Sequence, residues 1–333
     1  MTTKVDAPGT ITVRPHSMLA AAVRRNAWSL VLVGILAVLL VYTKIIQPTY
    51  GPPGVQGLAI SVLPLAFATV AQTCAVLARG IDLSVGSMMA LTSVVAARLM
   101  EDRGEGFTVL VVIGVLLLGC LLGAINGGLI VFTRVPDIVV TLAMLFVWAG
   151  FALLVLHTPG GGSADWLSDV TRGSLFSAWI PKAALLLLVV VAVIWIPIRR
   201  SRLGLSLYAI GSDPLAAYRS GVPVARTKIF AYMLTGLFSA LGGLSLTAST
   251  GIGTPVPGPY TLTSVAAVVL GGVSLAGGRG GVFGPLVAVV ILSLLRTDMT
   301  FLNVNTNLAT VAQGVILVGV VMVGSVIEMR RNR

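Results

Sequence analysis

Chemistry in a protein shows itself as paired acids, a nucleophile beside a base, or a cluster of metal ligands. This 333-residue chain offers none of them. His16 and His157 lie outside its apolar runs, and Cys74 and Cys120 sit singly within them. The cysteines read as small packing residues rather than a disulfide or a metal pair. There is no Gly-Lys dipeptide, so the chain holds no G-x-x-x-x-G-K phosphate loop. What remains is a set of isolated polar side chains in or beside apolar runs: the amides Gln72, Asn126 and Gln313, the hydroxyls Thr73, Thr92, Ser93 and Thr141, and the acid Asp82. In a lipid environment such groups either hydrogen-bond one helix to another or line a polar path. Both readings stay open for these residues. Asp82 has two readings as well. It or Ser84 can satisfy free N–H groups opening a helix over Leu83–Ala97, or it can stand at the inner mouth of a path beside Arg79.

The elements that must position these residues are transmembrane helices. Hydrophobic residues make up 56% of the chain and charged residues 10%, with a mean hydropathy of +1.01. A soluble domain carries roughly 25% charged residues, so lipid is the solvent of this surface. The apolar runs are continuous rather than alternating, which favours helices over barrel strands. At about 20 residues per crossing, the expected fold is all-α: a polytopic bundle of about ten spans. They are placed near 27–45, 57–78, 83–100, 108–131, 138–156, 179–198, 227–248, 260–275, 282–296 and 308–327. The second and third spans, and the eighth and ninth, are joined only by glycine-bearing turns and could include half-helices. Residues 1–26 and 328–333 are expected to be tails flanking a transmembrane body over 27–327. Trp28–Lys44 reads as a retained first span rather than a cleaved signal.

Charge sets the orientation. With the N-terminus inside, 16 of the 22 Lys and Arg residues fall on inner segments, leaving Lys44, Arg98, Arg103, Arg172, Lys182 and Arg296 outside. That asymmetry obeys the positive-inside rule and predicts both termini in the cytoplasm. The net charge of +11 is thereby explained without nucleic acid. All 11 acids can be placed in loops or at span ends, which argues against an ion-coupled carrier, where acids are buried mid-membrane. Glycine pairs such as Gly119/Gly123, Gly127/Gly128 and Gly242/Gly243 allow close helix approach. Ala75–Leu91 and Val268–Val287 share a pattern of apolar run, glycine turn and apolar run, as an internal repeat would.

The most informative inner segment is Arg199–Lys228. Arg199–Arg202 close a span, and Gly211 breaks the chain. Ser212 or Asp213 can cap a new helix, with Pro214 in its first turn. Leu215–Ser220 then makes one to two helical turns, Gly221 ends them and Pro223 prevents their resumption. This is either an ordinary surface helix or a docking element for a cytoplasmic partner. In the docking reading Ala216 and Ala217 permit close approach, and Arg219 offers a charge.

The string from Gly211 to Val224 resembles the cytoplasmic coupling loop of ABC sugar-import permeases of the ribose, xylose and galactose type. Gly80-Ile81-Asp82-Leu83-Ser84-Val85-Gly86-Ser87 resembles that family's signature between its second and third spans. Val135-Pro136 with Thr141-Leu142, and Thr158-Pro159-Gly160-Gly161, fit it too. Arg79 stands where many relatives carry Gly, and Asp213 where many carry Asn. The resemblance implies a bacterial inner-membrane permease importing a monosaccharide or similar solute. It also implies a second permease copy or paralogue, cytoplasmic ATP-binding subunits, and a periplasmic or lipid-anchored substrate-binding protein. No cofactor is expected in this chain, and ATP hydrolysis belongs to another. On this reading Asp213, Leu215, Ala216, Ala217, Arg219 and Gly221 couple to the ATPase. Gln72, Thr73, Asp82, Thr92, Asn126 and Thr141 are candidates for the path, since amides and hydroxyls suit neutral sugars. Permeases for branched-chain amino acids or nucleosides, and a stand-alone ion-coupled carrier, are the alternatives.

Overall fold

The computed structural model describes residues 18–256 and 258–305, with scattered positions from 308 to 322. Residues 1–17 of the expected N-terminal tail, His16 among them, the C-terminal tail, Gln313 and most of the tenth expected span lie outside the described residues, while residues 18–26 of that tail are the first turns of α1. The rest is helical: α1 (Met18–Ile46), α2 (Pro52–Leu77), α3 (Val85–Met100), α4 (Glu105–Thr133), α5 (Asp137–Val155), α6 (Asp165–Thr171), α7 (Lys182–Arg200), α8 (Arg202–Ser212), α9 (Pro214–Arg219), α10 (Val224–Thr250), α11 (Tyr260–Leu270) and α12 (Phe283–Phe301). Among the described residues, β pairing is limited to the isolated bridges Gly160–Gly253 and Ser174–Pro181.

Seven of these helices, α1, α2, α4, α5, α7, α10 and α12, are long and apolar enough to cross a bilayer. The two shorter apolar helices are α3, of 16 residues, and α11, of 11. At 1.5 Å per residue α11 extends about 16 Å, roughly half of a bilayer core. Both short helices belong to the span pairs expected to include half-helices. The expected seventh span at 227–248 is the interior of the longer α10, and the ninth, at 282–296, runs on to Phe301 in α12.

The centre of the bundle is α2, α3 and α10, and glycine lets these helices meet. On α4, Gly119, Gly123 and Gly127 recur every four residues and lie against Ile229, Tyr232 and Gly236 of α10. A Cβ on Gly127 would come within 2.8 Å of the Ile229 Cα, and one on Gly123 would strike the Tyr232 carbonyl. Gly128 points elsewhere, with only the Phe132 ring near it. Gly242 and Gly243 do the same for α3, where they face Met89 and Thr92. α2 is buried along most of its length, whereas α1, α4, α5 and α7 expose aliphatic side chains such as Val38, Leu117, Leu154 and Val193. A rim of that composition is the lipid-facing surface of a helical membrane protein.

The connections gather at two ends. At the basic end, the Gly278 N–H donates to the Leu77 carbonyl at 3.1 Å, Tyr208 Oη donates to the Gly280 carbonyl at 2.9 Å, and Lys228 pairs with Asp137. At the opposite end, the Gly162 N–H donates to the Ala97 carbonyl at 3.0 Å, Gly253 and Gly160 exchange backbone bonds, and Trp166 Nε1 donates to Thr108. Thr158-Pro159-Gly160-Gly161 thus fastens the longest loop of that end onto the last turn of α3. Gly161 is left-handed (φ +75°) and lies so close to the Ala97 carbonyl that a Cβ would sit 2.7 Å from it.

α2 and α11 end on the same backbone motif. Arg79 N donates to the Val76 carbonyl and Gly80 N to that of Ala75; Gly272 N donates to the Val269 carbonyl and Val273 N to that of Val268. Each is a Schellman cap with a left-handed residue, Arg79 (φ 59°) or Gly272 (φ 80°). The two sequence segments proposed as a repeat begin at the matching residues of this motif, Ala75 and Val268.

Candidate functional site

The turn from Ala78 to Ser84 is the point on which the polar side chains of the basic end converge. Asp82 is fully buried. Its Oδ1 accepts from the Ser84 N–H at 2.8 Å and the Ser84 hydroxyl at 2.6 Å, while Oδ2 has no partner. Ser84 is the N-cap of α3 and makes no side-chain cap bond itself. Asp82 therefore acts one step earlier, closing the turn that leads into the helix. With its amide oriented to satisfy both ends, Gln72 donates to the Asp82 carbonyl at 2.8 Å and accepts from the Asp82 N–H at 3.2 Å. Asn126 Nδ2 donates to the Ser84 hydroxyl at 2.8 Å, and Trp148 Nε1 donates to Asn126 Oδ1 at 3.2 Å. Thr141 Oγ1 lies within hydrogen-bond distance of two carbonyls, that of Ile81 at 3.1 Å and that of Asp137 on its own helix at 2.9 Å. Four helices, α2, α4, α5 and α3, thus hold one turn.

Burial raises the Asp82 carboxyl from its ordinary value near 3.8 to about 6, against the lowering effect of the Ser84 bonds. Neither ion pair among the described residues joins it to Arg79, which is exposed. A second carboxylate stands close by. Asp137 Oδ1 pairs with Lys228 Nζ at 2.7 Å and its Oδ2 accepts from Tyr232 Oη at 2.8 Å. Gly80 packs against this pair: a Cβ there would strike both the Asp137 carboxylate and the Tyr232 hydroxyl.

From this buried turn a continuous path leads to the surface. Gly211, near the end of α8, is packed so closely on the Leu77 carbonyl and on Gly278 that no Cβ fits. Two residues on, Asp213 ends α8 and caps α9, with Oδ1 accepting from the Leu215 and Ala216 N–H groups at 2.9 and 3.0 Å. α9 projects beyond the bundle. Leu215, Ala216, Tyr218 and Arg219 are exposed, Ala217 is buried, and left-handed Gly221 (φ +81°) has open space around it. Leu215 and Tyr218 thus leave apolar surface exposed on a six-residue helix.

A family model described as the branched-chain amino acid transport system / permease component matches residues 54–321. The chain belongs to this family. The permease is 32% identical over 263 residues to the ribose import permease protein of Haemophilus influenzae, covering 77% of this chain and 80% of that one. Its identity to the ribose import permease protein of Escherichia coli K12 is 32% over 266 residues, covering 78% and 81%. The autoinducer 2 import system permease protein of Escherichia coli O9:H4 is 28% identical over 325 residues, covering 93% and 95%. No solved structure matches the permease. It is a multi-pass membrane protein and a transport subunit, not an enzyme.

The geometry also accounts for the two departures noted in the sequence. Arg79 occupies a left-handed position, where glycine is the unstrained residue. Asp213 uses one oxygen for both cap bonds, as an asparagine would. Of the path candidates, Gln72, Asp82, Asn126 and Thr141 are brought together, all within the protein interior. Thr73 and Thr92 are not among them: each donates to a carbonyl of its own helix, Thr69 at 2.7 Å and Met88 at 2.7 Å. Ser93 instead bonds Thr247 of α10 at 2.9 Å.

Several residues of the site escape a reading along the chain. Asp137, Lys228 and Tyr232 form one cluster from separations of 91 and 95 positions. Gly211, expected to break the chain, instead lies within α8, where Gly204, Leu207 and Gly211, all buried, recur at helical spacing.

Two cavities complete the picture. One of about 550 Å³ lies toward the opposite end, between α2, α10, α11 and α12. Its walls carry the hydroxyls of Ser61, Ser249, Thr250, Thr263, Ser293 and Thr297 together with the Arg296 side chain. Pro64, inside α2, removes the N–H that would bond the Ile60 carbonyl, and both residues line this cavity. The other, of about 740 Å³, lies at the basic end where the α4–α5 and α9–α10 connections meet. None of the six path candidates lines either cavity.

Proposed function

We propose that this permease is the membrane-spanning subunit of an ATP-driven importer for a monosaccharide or a similar small polar solute. The observation that carries the reading is α9. It is an exposed, capped helix whose base packs through Gly211 on the last residue of α2, next to the buried turn that joins α2, α3, α4 and α5. In this reading two ATP-binding subunits dock on Leu215, Ala216, Tyr218 and Arg219 from the cytoplasm. Their closure displaces α9, and α8 transmits the movement to the turn, biasing the bundle between two states. A second permease copy or paralogue and a periplasmic or lipid-anchored binding protein complete the assembly. The protein resides in a bacterial inner membrane, with ten spans and both termini in the cytoplasm. The chain itself needs no cofactor.

The solute class is supported by the names of the relatives and by the chemistry of the 550 Å³ cavity. The freed Ile60 carbonyl and the oxygens of its hydroxyls, five of which also donate to a carbonyl three or four residues back, offer acceptors to a neutral polyol, and the Arg296 guanidinium stands in the same wall. The family description also names branched-chain amino acids, and the apolar residues Leu65, Leu246 and Leu292 share the same walls. Reconstitution with its ATPase and binding protein in liposomes distinguishes the readings. ATP-dependent uptake of a labelled pentose or hexose, without an ion gradient, is the expected outcome. Uptake of leucine instead would move the substrate to the amino acids. Uptake driven by a sodium or proton gradient without ATPase subunits would remove the ATP-driven reading.

A further inference from the structure

The 740 Å³ cavity at the basic end has a composition that transport by the path does not use. Four of its lining residues are charged: Arg134, Asp137, Arg226 and Lys228. Asp137 and Lys228 neutralise each other at 2.7 Å. Arg134 and Arg226 form no ion pair among the described residues and are exposed. The cavity thus carries two uncompensated guanidinium groups. Its remaining walls are mostly apolar, built from Ile130, Val131, Val135, Val222, Pro223 and Val224.

Position decides what such a cavity takes. It lies where α4 ends and α5 and α10 begin, three helices long and apolar enough to cross a membrane. Beside it on α4 and α5, Phe132 is 82% exposed, and Ile138 and Val139 are about half exposed. An apolar outer surface therefore runs directly into a pair of cations at the level where spans meet water. A soluble anion would use the cations and leave the apolar walls wet. An amphiphile with a phosphate head uses both.

We propose that this cavity is a binding site for an anionic phospholipid. The phosphate is held by Arg134 and Arg226, and the acyl chains lie along Phe132 and Ile138. Tyr218 of α9 lines the same cavity, so a lipid seated there touches the exposed helix as well as the bundle.

The test uses the purified full-length permease and native mass spectrometry, with phosphatidylglycerol and phosphatidylcholine as probes. The wild-type protein is expected to retain phosphatidylglycerol at least about tenfold more tightly. Arg134→Gln and Arg226→Gln should each weaken it about fivefold, the effect of one basic residue near a membrane surface. Arg226→Lys should retain most of the preference. Arg200→Gln, which removes a charge from the same end away from the cavity, should behave as wild type. Thermal unfolding of each variant separates loss of the site from loss of the fold. The proposal is overturned if folded Arg134→Gln and Arg226→Gln bind phosphatidylglycerol as wild type does, or if Arg200→Gln loses as much as they do. It is also overturned if glycerol phosphate displaces the lipid at equal concentration, which would mark a free-anion site. Complete exclusion of the lipid when ATPase subunits are bound would overturn it too, in favour of a protein interface.

Discussion

Lys228 on the first turn of α10 and Asp137 on the first turn of α5 are joined at 2.7 Å, with both side chains mostly buried at 23% and 13% exposure. One turn along α10, Tyr232 donates to the other oxygen of the same carboxylate. The carboxylate is thereby the hinge between two helices that are distant in sequence. Removing it leaves a partly buried ammonium and a buried hydroxyl without an acceptor, which costs more than the pair contributes. Asp137→Ala is expected to destabilise the permease by about 2–3 kcal/mol, and Lys228→Met by less. A double-mutant cycle on thermal unfolding should show coupling on the order of 1 kcal/mol between the two sites. Additive effects would show that the pair does no joint work.

Gly80 and Gly211 make a second prediction from steric contact. Alanine at Gly211 drives a Cβ into backbone, the Leu77 carbonyl and Gly278, whereas at Gly80 it meets the ends of two side chains, the Asp137 carboxylate and Tyr232 hydroxyl, and must displace their hydrogen bond. Each change should lower stability by about 1–3 kcal/mol. Arg79→Gly should act in the opposite direction, raising stability by about 1 kcal/mol by relieving a left-handed side-chain-bearing residue. Melting temperatures in detergent read all three, and a lower value for Arg79→Gly would show that the arginine side chain holds the turn.

Ala216 and Ala217 are adjacent but differ in exposure, and this separates docking from folding. Ala216 is exposed on α9, whereas Ala217 is only 5% exposed against the bundle. Ala216→Arg is expected to leave a folded permease in the membrane that no longer co-purifies with its ATPase and no longer transports. Ala217→Arg should instead reduce the amount of folded protein. Normal assembly and uptake with Ala216→Arg would remove α9 from the coupling mechanism.

Asp82 makes stability depend on pH. Its folded value of about 6 lies above the ordinary 3.8 because burial disfavours the charge. The fold therefore binds more protons than the unfolded chain between about pH 4 and 6, so stability falls as pH rises through that window and stays low above it. Asp82→Asn keeps an oxygen acceptor for Ser84 and has no charge to bury. The variant should be more stable than wild type at pH 7.5, by an amount on the order of 2 kcal/mol, and the difference should shrink below pH 5. Melting temperatures across that range measure it. A variant less stable at pH 7.5 would mean that the ionised carboxylate holds the turn.

The membrane orientation expected from the charge asymmetry is tested by reporter fusions at Arg333 and within the segment from Ser163 to Arg172. Opposite sides are expected. The same side for both would refute ten spans with cytoplasmic ends.

Features governed by neighbours along the chain were legible before any coordinates. Continuous apolar runs specify membrane helices because lipid cannot satisfy a free backbone. Asp213 followed by Pro214 specifies the start of α9, because capping involves residues two or three apart. Gly119 and Gly123 pointed to close helix packing because a small residue once per turn leaves a groove. Other features depended on which helices become neighbours. Gln72 and Asn126 gave no sign along the chain of which groups they would bond; only the tertiary structure brings them to Asp82 and Ser84. Thr73 and Thr92 look like their neighbours in sequence, yet each is spent on its own helix. Asp137, Lys228 and Tyr232 gave no local sign of meeting, since charge pairing across some ninety residues leaves no periodicity to read. The two cavities belong to the same class, because a void is defined by the surfaces around it, and those come from helices whose order in space the chain does not spell out.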